Sequence, residues 1–255
     1  MLSQANRNEL STFSYWMHVV WPWSLVVLAW SILFLASSTN GLALLDHDYL
    51  INSGRLPWLV ALGLFLVSWQ IMTVAMMLPS TCSILSTMVL ADSGQRFLWL
   101  RQLLFLSGYG LVWTLFALAA FLGDTLLHQL VNHWLWLYQH SWLIGTLIFA
   151  LAGAIQFSPF KRYYLQRCCD SAITCVWNEP QAAWRFGWRY GWFCLGSCWA
   201  LMLVMFAVGG RNLLGMALLA LALLLEKLAQ GANYVRVGIG VGFLLLAAAW
   251  LVVFL

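Results

Sequence analysis

Apolar residues fill long stretches of this chain without the alternation that marks a half-buried β-strand. The stretch LLGMALLALALLL at residues 213–225 is apolar on every face of a helix, so lipid or other helices must surround it. A membrane β-barrel would instead alternate apolar and polar residues in segments of about ten. The pattern therefore predicts an all-α, polytopic transmembrane helical bundle.

Seven apolar stretches are long enough to cross a membrane. A helix rises about 1.5 Å per residue, so about 20 residues span a hydrocarbon core of about 30 Å. We expect one integral membrane domain over residues 1–255, with a retained first span because no small-residue cleavage site follows it. The second stretch has room to continue beyond Pro79 as a kinked helix. The predicted spans are about 16–36, 57–79, 98–123, 142–158, 188–209, 212–231 and 236–255.

Composition and charge support this interpretation and add an orientation. Hydrophobic residues make up 63% of the chain and charged residues 8%, whereas about 25% of the residues in a soluble domain are charged. With a cytoplasmic N-terminus only Arg55 and Arg211 fall outside, which predicts an N-in, C-out topology. The net charge of +4 is then an orientation signal and does not indicate nucleic-acid binding. The residues expected on the inner side are Arg7, Arg96, Arg101, Lys161, Arg162, Arg167, Arg185, Arg189, Lys227 and Arg236.

Two predicted loops carry candidate metal ligands. The outer loop at 124–141 holds three histidines among aromatic residues, which predicts a helix lying in the interface, with metal capture as the alternative. The inner loop at 159–187 contains Cys168, Cys169 and Cys175, which stay reduced in the cytoplasm. Their spacing matches no zinc pattern, so ordinary loop cysteines are favoured over a role in metal transfer.

Sulfur-containing side chains recur at four-residue intervals in two predicted spans. Cys194, Cys198 and Met202 share one face of a helix, and Met72 and Met76 share a face of another. Thiol and thioether ligands favour Cu(I) over hard cations such as Mg²⁺. Because Cys and Met also fill apolar helix interfaces, packing alone is the alternative explanation for each row.

Glu226 is an ionisable residue inside the sixth predicted span, at about the depth of Cys194 and Met72. A carboxylate there costs about 2.5–3.5 kcal/mol on insertion scales, so it marks a functional site that needs a partner. Lys227 points about 100° away around the helix and is expected to reach the inner headgroups. The partners left for Glu226 are a metal, a proton, Tyr109 or a neighbouring helix.

Three segments resemble a bacterial family of predicted metal-binding integral membrane proteins. They are WQIMTVAMMLP at 69–79, AGAIQFSPFKRYYLQRC at 152–168 and the long segment at 187–227, so the resemblance covers most of the chain from about residue 60 onward. It implies metal binding in the cytoplasmic (inner) membrane of a bacterium. The positions that carry the family's motifs are Trp69, Met72, Met76, Met77 and Pro79, then Gly153, Gln156, Pro159, Lys161 and Cys168, and finally Cys194, Gly196, Cys198, Trp199, Met202, Asn212, Met216, Glu226 and Lys227.

The chain departs from the family pattern at several positions. Ser197 stands where a second cysteine usually precedes the tryptophan, and Tyr164 stands where another cysteine lies four residues before Cys168. Arg211 and Gly215 replace an apolar and an aromatic residue. If the missing thiols bind metal in the family, the smaller number of soft ligands predicts weaker metal binding here, or a scaffold role.

The leading hypothesis is a membrane protein that binds a soft transition metal, with copper as Cu(I) favoured, and transports it or delivers it to a membrane or periplasmic enzyme. The alternative is a non-catalytic structural or accessory subunit of a larger membrane enzyme, such as a copper monooxygenase or a respiratory complex. No catalytic role is expected, since the chain has no G-x-S-x-G, no H-E-x-x-H and no nucleotide-binding loop. The expected partners are the lipid bilayer and a metal-receiving client or enzyme complex, with the oligomeric state left open. The predicted metal-site residues are Met72, Met76, Cys194, Cys198, Met202 and, as charge partner or proton acceptor, Glu226.

Overall fold

The structure, a computed structural model, describes residues 4–39, 57–91, 98–170, 180–208, 212–228 and 233–254. Within these ranges the chain is almost entirely α-helical and contains no β-strand, which confirms the predicted all-α class. The helices are α1 (Gln4–Ser38), α2 (Trp58–Ala91), α3 (Leu98–His133), α4 (Leu135–Gln139), α5 (Trp142–Gln156), α6 (Pro159–Asp170), α7 (Pro180–Val208), α8 (Leu213–Leu228) and α9 (Asn233–Phe254).

Membrane-crossing helices are present in the described ranges, as the sequence predicts. Four single helices are long and apolar enough to cross a membrane, and the pair of α5 and α6, bent by 68°, forms either one further broken span or a re-entrant loop. A helical membrane protein is thereby confirmed, whereas the total of seven spans and the N-in orientation stay predictions. The four single spans are Trp16–Ser38, Trp58–Val89, Leu98–His133 and Asn233–Val253.

Several helix boundaries differ from the sequence prediction. α2 does not end at Pro79 but continues to Ala91. α3 runs on to His133, so more than half of the predicted outer loop is a continuation of that helix, followed by the short α4. The predicted inner loop contains all of α6 and the first turns of α7. Counting apolar residues finds only the lipid-crossing part of a helix, because the ends extend into the interface where polar side chains are hydrated.

Pro79 lies inside α2, where it removes a backbone N–H from the helix and leaves the carbonyl of Ala75 without its usual donor. The indole N–H of Trp30 in α1 donates to this carbonyl at 3.1 Å. The Thr81 hydroxyl donates to the carbonyl of Met77 at 3.1 Å. Because hydrocarbon offers no water to satisfy a free carbonyl, a donor from a neighbouring helix lets α2 continue through the proline.

Helices α3 and α7 approach each other closely through glycines. A Cβ on Gly187 would overlap the carbonyl group of Phe105, and one on Gly191 would press on Val112 at 3.0 Å. The contacts advance along both helices in the same direction, so α3 and α7 run parallel. A Cβ on Gly108 would lie 2.5 Å from the backbone of α7. Small residues at such contacts let membrane helices pack backbone against backbone.

The remaining helices pack around this pair. α2 contacts α1, α3 and α8, while α5 contacts α7 and α9, and α6 crosses α7. Gln70 in α2 donates to the hydroxyl of Thr114 in α3 at 2.7 Å, and the side-chain oxygen of Gln102 in α3 accepts from the Trp21 indole in α1 at 2.8 Å. The packing brings parts of α2, α3, α6, α7 and α8 to one buried region.

We expect Gly108→Ala to destabilise the protein, because the added methyl group meets the backbone of α7 and no flexible side chain can yield. Overpacking of this kind costs about 1–3 kcal/mol. Gly110→Ala is the matched control, since a Cβ at Gly110 meets nothing within 4 Å. Thermal unfolding in mild detergent should show a lower midpoint for Gly108→Ala alone, and equal midpoints for the two variants would contradict the close α3–α7 contact.

Candidate metal-binding site

The sulfur atom of Cys194 lies at the centre of a buried polar cluster. The Tyr109 hydroxyl is 3.3 Å from this sulfur, and the Lys227 ammonium donates to it at 3.2 Å. The thiols of Cys168 and Cys198 also lie close enough to this sulfur to interact with it electrostatically. Four polar groups from α3, α6, α7 and α8 thus surround one sulfur that has no solvent exposure. Hydrogen-bond donors that converge on one sulfur provide an environment suited to a thiolate.

Cys194 and Cys198 share a face of α7, as their four-residue spacing predicts. The Cys198 thiol donates to the carbonyl of Cys194 at 2.8 Å, and so does the hydroxyl of Ser197. Met202, one turn further along α7, is buried as well. The sulfur row of α7 therefore points into the protein and not into lipid.

Lys227 does not lie where the sequence predicts. On the sequence alone, its ammonium group is expected to reach the membrane headgroups. The side chain is buried, and its ammonium donates to the Ser80 hydroxyl at 2.8 Å as well as to Cys194. A buried ammonium needs strong acceptors, and two acceptors within reach are better than an extended path to the surface. The prediction was wrong because it used only the direction of the side chain around its own helix.

Cys168 was expected to be an ordinary loop cysteine, and this expectation was wrong. The residue lies near the end of α6, is buried, and contacts the Cys194 thiol. The Tyr190 hydroxyl is near both Cys168 and Thr81 of α2. The side chain of Cys169 and all of Cys175 lie outside the described residues. The family motif that includes Cys168 was the sequence signal that could have placed it in the site.

Glu226 has a protein partner that the sequence did not predict. Its Oε2 atom lies 2.8 Å from the Lys161 ammonium, and both side chains are almost fully buried. Lys161 was expected among the residues that face anionic lipid, yet it comes from α6 and points inward. Because a buried carboxylate is costly without a cation, this pair explains how Glu226 is tolerated inside the bundle.

The methionines of α2 are buried on the face that leads to the cluster. Met72 and Met76 are 6% and 2% exposed, and Met76 lies one turn before Ser80, the acceptor of Lys227. Burial on this face does not by itself bring either thioether to the cysteines. Their role as ligands therefore stays a prediction.

Tyr164, where the sequence resemblance led us to expect a cysteine, has a structural role here. The Tyr164 ring packs against Gly196 so closely that a Cβ on Gly196 would overlap it. The same ring lies 6.1 Å from the ring of Phe193. Tyr164 thus helps hold α6 against α7.

The histidines of the predicted outer loop do not come together. The Nδ1 atom of His128 donates to the carbonyl of Asp124, one turn earlier on α3, at 3.0 Å, and the His140 ring stacks on Trp136 at 4.8 Å. Across the described ranges, no group of three or more His, Cys, Asp or Glu side chains has the arrangement of a metal site. We call Cys168, Cys194 and Cys198 the cysteine cluster. These soft donors would have to move to bind one metal ion together.

The fold and the cluster define a helical membrane protein with buried thiols, tyrosines and paired charges in its interior. The family model of PpoB2, described as a copper chaperone, matches residues 66–252. Because this match covers well over half of the chain, the protein belongs to that copper chaperone family. A chaperone carries its metal without catalysing a reaction, in agreement with the expected lack of an enzymatic role. No curated protein and no solved structure matches the chain.

We expect Glu226→Leu to destabilise the protein strongly, because it leaves the Lys161 ammonium buried without its carboxylate. Breaking a buried pair in this way costs about 3–5 kcal/mol. The double variant Lys161→Met with Glu226→Leu should recover much of the loss, since it removes both charges. Unfolding midpoints in detergent measure the two variants, and a double variant no more stable than Glu226→Leu would show that the pairing is not what stabilises Glu226.

Proposed function

We propose that this protein binds Cu(I) at the cysteine cluster and delivers it to a membrane or periplasmic enzyme. One observation carries the proposal: the Cys194 sulfur is the meeting point of polar groups from four helices in a protein of the copper chaperone family. Cu(I) is a soft ion, and thiolate is the protein ligand that suits it best among those within reach.

Cys194, Cys198 and Cys168 are the proposed metal-binding thiols. Cys194 and Cys198 come from one helix, whereas Cys168 comes from α6, so the donor set spans a helix interface. Copper would take the place of hydrogen atoms now shared between these sulfurs, so binding releases protons. The cargo ion then lies in the buried interior of the bundle, beside the Lys161–Glu226 pair.

The predicted methionine ligands and Glu226 have supporting roles in this proposal. Met202 continues the sulfur row of α7, while Met76 lies one turn and Met72 two turns before Ser80 on α2. Thioethers are neutral and bind Cu(I) more weakly than thiolates, which suits positions along an exit path. Glu226 compensates the charge of Lys161 beside the site.

We also propose that the chain resides in the bacterial cytoplasmic membrane with seven spans, N-terminus inside. In that arrangement α7 and α8 cross in addition to the spans that pass by length and composition. The first half of α7 carries Arg185 and Arg189, which are exposed and belong at the inner boundary. Cys194 then lies about 8 Å from Arg189 along the helix, inside the inner leaflet.

The thiol proposal predicts that Cys194→Ser combined with Cys198→Ser abolishes copper retention. Serine keeps the size and the helix but offers a hard hydroxyl, so the affinity for Cu(I) should fall about tenfold or more, at least 1.4 kcal/mol. Cys82→Ser is the matched control, because Cys82 is a buried cysteine of α2 outside the cluster. Elemental analysis of protein purified without chelator, after loading with Cu(I), measures the retained copper.

The extent of the loss of copper distinguishes copper delivery from the alternative role of an accessory subunit. Cys168→Ser should also lower copper retention, and Met202→Leu should lower it less than any cysteine variant. If the double serine variant keeps its copper and the client enzyme stays active, the cysteines are packing residues. Co-purification with stoichiometric subunits of a larger enzyme would then identify a structural role.

The proposed topology predicts that residues 124–141 face the outer side and residues 159–170 the inner side. Single cysteines at the exposed positions Asn132 and Arg162 test this in a cysteine-light variant. An impermeant maleimide added to intact spheroplasts should label only the cysteine at 132, and the one at 162 only after lysis. Labelling of position 162 in intact cells would overturn the orientation.

A further inference from the structure

A second group of buried and partly buried polar side chains includes the Lys161–Glu226 pair. Arg236, in the first turn of α9, is close enough to Lys161 to interact with it electrostatically, and so is Cys198. Gln156, the last residue of α5, has no solvent exposure. The packing of Gly240 against Gln156 places Gln156 one turn of α9 away from Arg236. We call Gln156, Lys161, Glu226 and Arg236 the polar corner.

Several atoms of the polar corner have no hydrogen-bond partner in the described part of the chain. They are both side-chain atoms of Gln156, the Oε1 atom of Glu226 and the Nε atom of Arg236. A buried polar atom left unsatisfied destabilises the fold, so four in one place would be a large penalty in a membrane protein. Two of these atoms donate hydrogen bonds and two accept them, with the donor and acceptor groups interspersed.

The chemistry of these four atoms indicates which ligand would satisfy their hydrogen bonds. The free lone pairs of Gln156 and Glu226 would repel an anion. The positive charges of Lys161 and Arg236 would repel a metal cation. A water molecule both donates and accepts, and an internal water makes about three hydrogen bonds to such groups. Water therefore satisfies all four atoms without adding charge.

We propose that the polar corner is a hydrated inlet that joins the cysteine cluster to the aqueous phase at one end of the bundle. It lies where α5 bends into α6, beside the first turn of α9, whose Arg236 is only partly buried and forms the mouth. Lys161 and Glu226 line its inner part, and Cys198 lies at its inner end. The inlet gives hydrophilic solutes access to the thiols from one side of the membrane. This inference concerns water and does not depend on copper binding.

Thiol labelling of Gln156→Cys tests the inlet. The probe is 2-sulfonatoethyl methanethiosulfonate, a membrane-impermeant anion suited to a mouth with Lys161 and Arg236, applied without copper to vesicles of each orientation. Ala154→Cys is the matched control, because Ala154 lies two residues away in the same helix on its exposed, lipid-facing side. Peptide mass spectrometry separates the introduced cysteine from the native ones.

We expect the cysteine at 156 to react at least about tenfold faster than the one at 154, since reaction needs a hydrated thiolate, and only in vesicles of one orientation. Equal rates for the two variants, or equal labelling from both sides, would overturn the inlet. The unmodified chain provides a second measurement if Gln156→Cys does not insert. On X-ray radiolysis of water, Cys198 should be oxidised faster than the buried Cys82, and equal oxidation would also overturn the proposal.

Discussion

The contact between the Lys227 ammonium and the Cys194 sulfur determines how the interior of this protein is arranged. An ammonium inside a membrane protein is costly unless strong acceptors surround it. Lys227 has two of them, the Cys194 sulfur on α7 and the Ser80 hydroxyl on α2. The requirement that one cation reach both acceptors brings α2, α7 and α8 to a single point, and the cysteines gather there.

Neighbouring residues of α8 serve two different pairs. Glu226 faces Lys161 of α6, whereas Lys227 faces Cys194, because adjacent side chains on a helix diverge by about 100°. The end of α8 is thus held from two sides, and α6 is tied into the bundle by Lys161 as well as by Cys168. This arrangement places the soft donors of the interior beside buried charges from two helices, α6 and α8.

The sequence supports the prediction of the elements better than the prediction of their contacts. Long apolar runs predicted the helices, and the four-residue spacing predicted that Cys194 and Cys198 share a face. Depth along each helix also marked Glu226 as a buried charge. The rotation of a helix about its own axis is set by the neighbours it meets, and these are not encoded in local spacing. The inward side chain of Lys227 could not be predicted for that reason.

The place of Cys168 shows a related limit. Its helix, α6, is short and carries several charges, so no apolar count distinguishes it from a cytoplasmic loop. Only the bend between α5 and α6 turns the segment back against α7. A single sequence contains the bend as Ser158 and Pro159 but does not contain its angle. The resemblance to a metal-binding family marked Lys161 and Cys168 as notable without indicating which residues they touch.

The hydrogen bond from Trp30 to the Ala75 carbonyl has a consequence for biogenesis. Pro79 makes α2 a helix with an open acceptor, and a helix in that state enters lipid at a disadvantage. The donor lies on α1, which precedes α2 in the chain. It is therefore synthesised before α2 and is available when α2 inserts. The hydrogen-bond donor is therefore made before the carbonyl that requires it. In a rearranged chain with α2 ahead of α1, α2 would have to insert without the Trp30 donor.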